Sequence, residues 1–312
     1  MSARTRGPER PSVPQPAAPR PGARHCAAPQ TGEPGAAGLL AHRTVLVTGV
    51  LRPSSIATAV ARAAREQGAR VLLTAPPRTL PLTQRLAPGL GVSDPVLSLD
   101  VADAASLTAL PGRLRQVGVD RLDGLVHAVA HAGRELLGDR LTGPVGGAAP
   151  ADGGGADGAS ALAERLDALS TAHVVSAASL ATLTGVLRPL LGAGSSIVTL
   201  TFTSEQVMPG YGWMGPFKAA LEASVRALAV ELGPGGVRVN AVAAGPLRTP
   251  AAGAVPRLDA LAATWQRRAP LGWDPEDAAP VARTVLALLS DWLPATTGQV
   301  LRADGGMSVV GA

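Results

Sequence analysis

Cysteine, lysine and tyrosine are almost missing from this chain. One Cys, Cys26, stands in 312 residues, so an internal disulfide is excluded. No run of 18 or more uninterrupted apolar residues occurs, which argues against a membrane-spanning helix. The N-terminus is basic but carries no apolar block of the kind that marks a secretory leader, so a cytoplasmic protein is expected. Acidic residues are outnumbered, giving a formal charge of +5. Much of that excess lies in the first 40 residues, where five Arg face Glu9 and Glu33. The rest of the chain is close to neutral, so a nucleic-acid surface is not required. The stretch 1–38 is rich in Pro and Gly and poor in apolar residues, and is expected to be a disordered tail.

Two rare residues lie close together. The only tyrosine, Tyr211, is seven residues before the only lysine, Lys218; every other basic side chain is Arg. Where Arg is the default cation, a lone Lys points to a position that needs a compact ammonium rather than a planar fork. Seven residues is close to two helical turns, which would set both side chains on one helix face about 10 Å apart along the axis. A phenol and an ammonium so placed suit an acid and an electrostatic stabiliser.

From Leu39 onward short apolar runs alternate with longer amphipathic ones. Strands are expected at 44–48, 70–74, 96–99, 124–128, 196–201, 237–242 and 299–303. Helices are expected at about 55–67, 161–191 with a break near Ser170, 212–232, 257–267 and 275–290. Between them a Gly-rich stretch, 142–160, reads as a flexible insertion. This alternation predicts an α/β fold: a single Rossmann-like, doubly wound parallel sheet of about seven strands with helices on both faces.

In such sheets ligands sit at the carboxyl ends of the strands. The first strand is followed by Gly49 and, at the next helix start, Ser55 and Ile56, a turn that can face a pyrophosphate. It is not a GxGxxG, since Arg52, Pro53 and Ser54 stand where further glycines would be. Asp100 and Val101 end the third strand and can hold an adenine edge. Ala128 and Ala130 follow the fourth and leave room for a flat cofactor. His127 and His131 beside them lack the helical geometry of a metal pair, and no metal is expected. Phe202 ends the fifth strand. After the sixth, Leu247 and Thr249 offer bare amides and a phosphate-seeking hydroxyl.

Taken together these residues resemble a known family. The chain from Leu39 onward is similar to the NADH-dependent enoyl-acyl-carrier-protein reductases, a divergent branch of the short-chain dehydrogenase/reductases, and most of all to mycobacterial and actinobacterial members. The resemblance rests on Tyr211-x6-Lys218, on 245–249 (GPLRT), 268–273 (RAPLGW) and 289–298 (LSDWLPATTG), and on the 303–306 (ADGG) ending. Ordinary members of the superfamily use Tyr-x3-Lys; position 214 here is Met. The resemblance implies that Tyr211 hydrogen-bonds the thioester carbonyl, that Lys218 holds the nicotinamide ribose, and that Phe202 lies beside the substrate. It implies that Gly49, Ser55 and Ile56 meet the pyrophosphate, Asp100 and Val101 the adenine, Leu247 the carboxamide and Thr249 a phosphate. It further implies NADH as cofactor, an enoyl substrate on acyl carrier protein or CoA, and a homotetramer, with neither nucleic acid nor membrane as partner.

The sequence also departs from the family pattern. Ala128-Val129-Ala130 replaces Ser-x-Gly, Pro76 stands where relatives have an aromatic residue, and Phe217 replaces a small one. Pro216, between Tyr211 and Lys218, is expected to kink a helix there. A same-fold reductase of another enone or ketone, or a non-catalytic homologue, therefore remain alternative readings. The lid between Thr249 and Pro270 has the length of the ordinary bacterial enzymes, which implies short or medium enoyl chains.

Overall fold

Seven strands pair in parallel into one sheet in the computed structural model, which describes residues 38–142, 156–202 and 204–311. All of these fall within a single unit, Ala36–Ala312. The strands are β1 (Thr44–Thr48), β2 (Arg70–Ala75), β3 (Leu97–Ser98), β4 (Gly124–His127), β5 (Ser196–Thr201), β6 (Arg238–Ala244) and β7 (Val300–Ala303). Their order across the sheet is β3-β2-β1-β4-β5-β6-β7. The chain winds outward from β1 to β3, then returns to lay β4 on the other side of β1. That reversal opens a crevice at the carboxyl ends of β1 and β4. The expected doubly wound sheet is thus observed, with strand limits within two residues of expectation.

Alternation along each strand builds two cores. Val45, Val47, Val71, Leu73 and Val126 face one layer, where they meet α1 (Ile56–Glu66) and α8 (Ala279–Leu289). Leu46, Leu72, Leu125 and Ile197 face the other, against α3 (Ala104–Gln116), α5 (Ser179–Leu187) and α6 (Met214–Leu232). Successive side chains of a strand point to opposite faces, so sheets covered on both sides read as nearly continuous apolar runs. Register is set by the same pattern: Leu46 lies opposite Leu72 on one side and Leu125 on the other. Two further helices, α2 (Leu80–Leu86) and α7 (Leu258–Arg268), lie near the strand ends.

Several expectations need correcting. Helix α4 (Ala156–His173) begins inside the Gly-rich stretch, four residues before Ser160; residues 143–155 of the expected insertion lie outside the described residues, as do residues 1–37 of the expected tail. The break in the long helical region is not at Ser170 but at a π-helical segment, Val174–Ala178, which leads into α5. Pro216 does not kink α6. It is the third residue of that helix, where its missing N–H would have had no intrahelical partner. Helix α8 starts at Ala279 rather than Pro275, because the Asp277 carboxylate takes the Ala279 N–H at 2.8 Å and fixes the helix entrance there. The stretch Ala159–Leu190 is long and apolar enough to cross a membrane by length and composition alone, but here Leu180, Leu183 and Leu187 are fully buried in the protein core.

Candidate functional site

At the carboxyl ends of β1 and β4 the crevice widens into a cleft of about 580 Å³. It is lined by all twelve residues singled out from the sequence, contributed by the exits of β1, β3, β4, β5 and β6 and by α6.

One wall is built almost wholly from backbone. Gly49 leaves β1 with φ +83°, and a Cβ added there would sit 2.0 Å from the Ala128 carbonyl oxygen. Only glycine lets β1 turn this close to β4. The Thr48 hydroxyl joins the two strands: it donates to Val126 O at 3.1 Å and accepts from Ala128 N–H at 3.0 Å. Ser55 precedes α1, and its hydroxyl accepts from the Arg52 N–H at 3.1 Å instead of capping the helix. The first amides of α1, at Ile56 and Ala57, therefore remain available to an anion at the positive end of the helix. Across the cleft, Asp100 Oδ1 accepts from Ala102 N–H at 3.0 Å, while buried Val101 closes the pocket beside it. Asp103, not Asp100, caps α3, accepting from Ala105 and Ser106. This combination of a close-approach glycine, free helix amides and an acid beside an apolar slot fits a dinucleotide.

The facing wall carries the titratable groups. Tyr211 is not on the helix with Lys218, contrary to the spacing argument. Gly210 at φ +79° and Gly212 at φ +50° bracket it, and α6 starts only at Met214. A bridge between Tyr211 and Gly138, with the Gly138 N–H donating to Gly210 O at 2.9 Å, holds the loop in place instead. The Phe202 ring meets the Tyr211 ring edge to face, with centroids 5.2 Å apart at 65°. Beyond it Phe202 lies against Trp265 of α7, at 6.2 Å. Tyr211 and Lys218 both line the cleft, so the pair converges although its local structure differs from expectation.

Burial sets their chemistry. Desolvation, reinforced by the Glu222 carboxylate, pushes the Tyr211 phenol far above its usual range, so it stays a proton donor. Lys218 is buried and its Nζ donates to Leu200 O at 2.9 Å. Desolvation lowers its pKa to about 8, while Glu222 acts in the opposite direction. His127 is fully buried, and desolvation followed by the Lys218 charge lowers it to about 3. It is thus a neutral bridge between Thr199 Oγ1 (2.9 Å from Nδ1) and Ser179 Oγ (2.8 Å from Nε2). Among the described residues no group of three or more His, Cys, Asp or Glu could hold a metal ion.

Alanines 128 and 130 line the strand exit between the walls, Ala130 with its methyl exposed. Leu247 is buried at the floor after β6. Thr249 Oγ1 accepts from the Ala252 N–H at 3.2 Å, which leaves its proton free to donate. The lid follows: Val255, Leu258 and Leu261 line the cleft from above. Two recognisable motifs act through packing. Trp273 donates from Nε1 to Pro246 O at 2.8 Å, and buried Arg238 gathers the carbonyls of Leu288, Ser290 and Leu293. Sequence reasoning missed Glu222, Thr201 and Thr48. The available signal for Glu222 was its place in the buried stripe of Leu221, Val225 and Leu228, where an acid is out of pattern.

Known proteins resemble this chain over most of its length. A family profile described as enoyl-(acyl carrier protein) reductase matches residues 49–145 and 147–308. An NADH enoyl-acyl-carrier-protein reductase from Mycobacterium avium is 40% identical over 284 residues, which covers 87% of this chain and 98% of the relative. Its counterpart from Mycolicibacterium smegmatis is 39% identical over 283 residues, with the same coverage. The Escherichia coli enzyme of that name is 34% identical over 276 residues, 87% of this chain and 96% of its own.

Proposed function

This chain belongs to the enoyl-acyl-carrier-protein reductase family, and from that premise we propose that it reduces the carbon–carbon double bond of a trans-2-enoyl thioester with NADH in type II fatty acid synthesis. The observation that carries the reading is the convergence of a protonated phenol and a buried ammonium on a cleft whose opposite wall fits a dinucleotide.

NADH supplies the hydride that adds to the β-carbon. Tyr211 donates its hydroxyl proton in a hydrogen bond to the thioester oxygen, where charge gathers as the enolate forms. A phenol whose pKa is raised keeps that proton while the oxygen becomes negative. A proton taken from solvent at the α-carbon completes the saturated thioester, and the Tyr211 hydroxyl keeps its own. Lys218 uses the Nζ donors left free by Leu200 to hold the ribose hydroxyls. Phe202 packs beside the enoyl group and keeps the Tyr211 ring in place. Gly49, Ser55 and Ile56 receive the pyrophosphate, Asp100 and Val101 the adenine, Leu247 the carboxamide and Thr249 a phosphate oxygen. Ala128 and Ala130 bound the nicotinamide slot. The acyl group arrives on acyl carrier protein or CoA. The enzyme acts as a homotetramer in the cytoplasm, without nucleic-acid or membrane partners.

The lid argues for chain length. From Thr249 to Arg268 it comprises one turn at Ala252–Ala254 and the eleven-residue α7. Each further CH₂ gains roughly 0.8 kcal/mol only where a wall exists to bury it, and a short lid offers little wall, so short or medium enoyl chains are preferred. The test is NADH oxidation with crotonyl and longer enoyl thioesters, with NADPH in parallel. Turnover with NADH and a plateau before about C12 is expected. NADH binding without oxidation by any enoyl thioester overturns the activity. A preference for NADPH overturns the cofactor assignment, and it has a structural motive: β2 ends in Thr74-Ala75-Pro76-Pro77-Arg78 with no acid to chelate ribose, and Arg78 lines the cleft.

A further inference from the structure

Among the described residues only two carboxylates are buried, Asp304 and Glu222. Asp304 is occupied by local backbone, the N–H groups of Gly306 and Ser308 at 2.9 and 3.0 Å. Glu222 is held differently. Thr201 Oγ1 donates to its Oε1 at 2.7 Å, and Ser204 Oγ donates to its Oε2. Both donors are neutral hydroxyls, and they flank Phe202 in sequence. Glu222 itself lies on α6, four residues after Lys218, so the two side chains share a helix face about 6 Å apart along the axis.

We propose that Glu222 is a positioning residue of the reduction site: it ties the segment bearing Phe202 to the helix bearing Lys218, and its negative charge supports the Lys218 ammonium. The inference rests on the roles given above to Lys218 and Phe202. A buried carboxylate satisfied only by two hydroxyls is costly to keep ionised unless a cation balances it. Lys218 is the cation on the same face. The other groups facing Lys218 supply no negative charge. From β5 comes the Leu200 carbonyl, from β4 the neutral His127, and from the preceding loop the protonated Tyr211. His173 of α4 lies against Phe217 instead, 5.7 Å between ring centres. Packing alone would be served as well by Gln, which has the same shape and one acceptor oxygen. A carboxylate is required only if both hydroxyls must donate and if the charge matters.

The single lysine makes the test direct. In full-length protein labelled with ¹³C-lysine, one side-chain resonance reports Lys218 alone. In wild-type protein it should titrate near pH 8. In Glu222→Gln the midpoint should fall by about one pH unit or more, and the pH above which NADH affinity declines should fall with it. Thr201→Val cuts one tie and keeps the charge; it should lower kcat several-fold without moving the lysine titration. A Glu222→Gln protein whose titration and NADH profile superimpose on wild type overturns the proposal, as does a Thr201→Val protein with unchanged kcat. If Glu222→Gln fails to fold, a wild-type lysine that titrates well below pH 8, as an ammonium without a supporting charge would, together with an unaltered kcat in Thr201→Val, overturns it equally. Wild-type protein that binds NADH but reduces no enoyl thioester defeats the activity, while the lysine titration still decides the role of Glu222.

Discussion

On the β1 side of the cleft, Gly49 abuts the Ala128 carbonyl, Thr48 bonds Val126 and Ala128, and Thr83 of α2 donates to Val50 O at 2.5 Å. On the lid side, Arg248 reaches Asp259 and Glu276 at 3.0 Å each, and Arg257 reaches Asp139 at 3.3 Å. The first set is mostly buried and ties two threonine hydroxyls to backbone groups beside a glycine that no larger residue can replace. The second consists of exposed charges, and exposed pairs contribute about 0–1 kcal/mol each and weaken with salt. The cofactor wall is therefore rigid and tolerates no added atom, whereas the substrate wall is adjustable.

The largest effect should come from breaking the rigid wall. Gly49→Ala places a methyl on the Ala128 carbonyl and forces an L-residue to φ +83°. Strain of this kind costs on the order of 1–3 kcal/mol before the clash is counted. The melting temperature should fall by several degrees, and NADH affinity, measured by nicotinamide fluorescence, by at least about tenfold.

Next come the two groups on the facing wall, which separate turnover from cofactor binding. Tyr211→Phe should lower kcat by about 10²–10³-fold with little change in NADH affinity, because the hydroxyl is needed as charge develops. Lys218→Ala should weaken NADH binding itself. In wild-type protein the ammonium form binds, so NADH affinity should hold below pH 8 and fall as pH rises through about 8. Equal loss of cofactor binding in the Tyr211 and Lys218 variants would contradict this division.

Smaller effects should follow from loosening the lid. Arg257→Ala or Asp139→Asn should raise KM for the enoyl thioester by about two- to fivefold and leave the NADH dissociation constant unchanged, and added salt should mimic either change. Asp139 also accepts the Gly210 N–H at 2.7 Å, so Asp139→Ala, which removes that acceptor as well as the charge, should show the larger response. Smallest of all, we propose that residues 1–37 are dispensable. A chain starting at Gly38 should keep its melting temperature and NADH affinity; a large loss of either would show that the tail supports the enzyme.

Legibility in the sequence followed the same division. The strands were readable because a sheet covered on both faces needs short apolar runs with turn residues between them. The cofactor wall was readable because its residues sit at strand ends. Helix α3 was missed, since Pro111-Gly112 in its middle reads as a breaker. Its buried stripe of Leu107, Leu110 and Leu114, with Asp103 as cap, outweighs the lost hydrogen bond. The placing of Tyr211 on one helix face with Lys218 failed for the opposite reason: seven-residue spacing suits two turns, but the glycines on either side of Tyr211 take left-handed conformations that end any helix. Glu222 was passed over because a lone acid on a helix is usually solvated, and only the fold brings Thr201 and Ser204 to it.

The π-helical segment Val174–Ala178 has a consequence for the phase of the helices on either side. A π-turn holds one residue more than the α-helix it interrupts. On its C-terminal side, Leu180, Leu183 and Leu187 face the sheet core, while on its N-terminal side Ala172 packs with Met214 and Phe217. Inside it, Ser176 Oγ accepts from the N–H of His131 at 2.9 Å. Removing one residue from 174–178 would restore a continuous α-helix and turn α4 by about 100° about its axis relative to α5. Ala172 would swing away from α6, and the strap of chain after β4 would lose its anchor at Ser176. The bulge thus works as a phase shifter, letting one continuous rod face the sheet at one end and the start of α6 at the other.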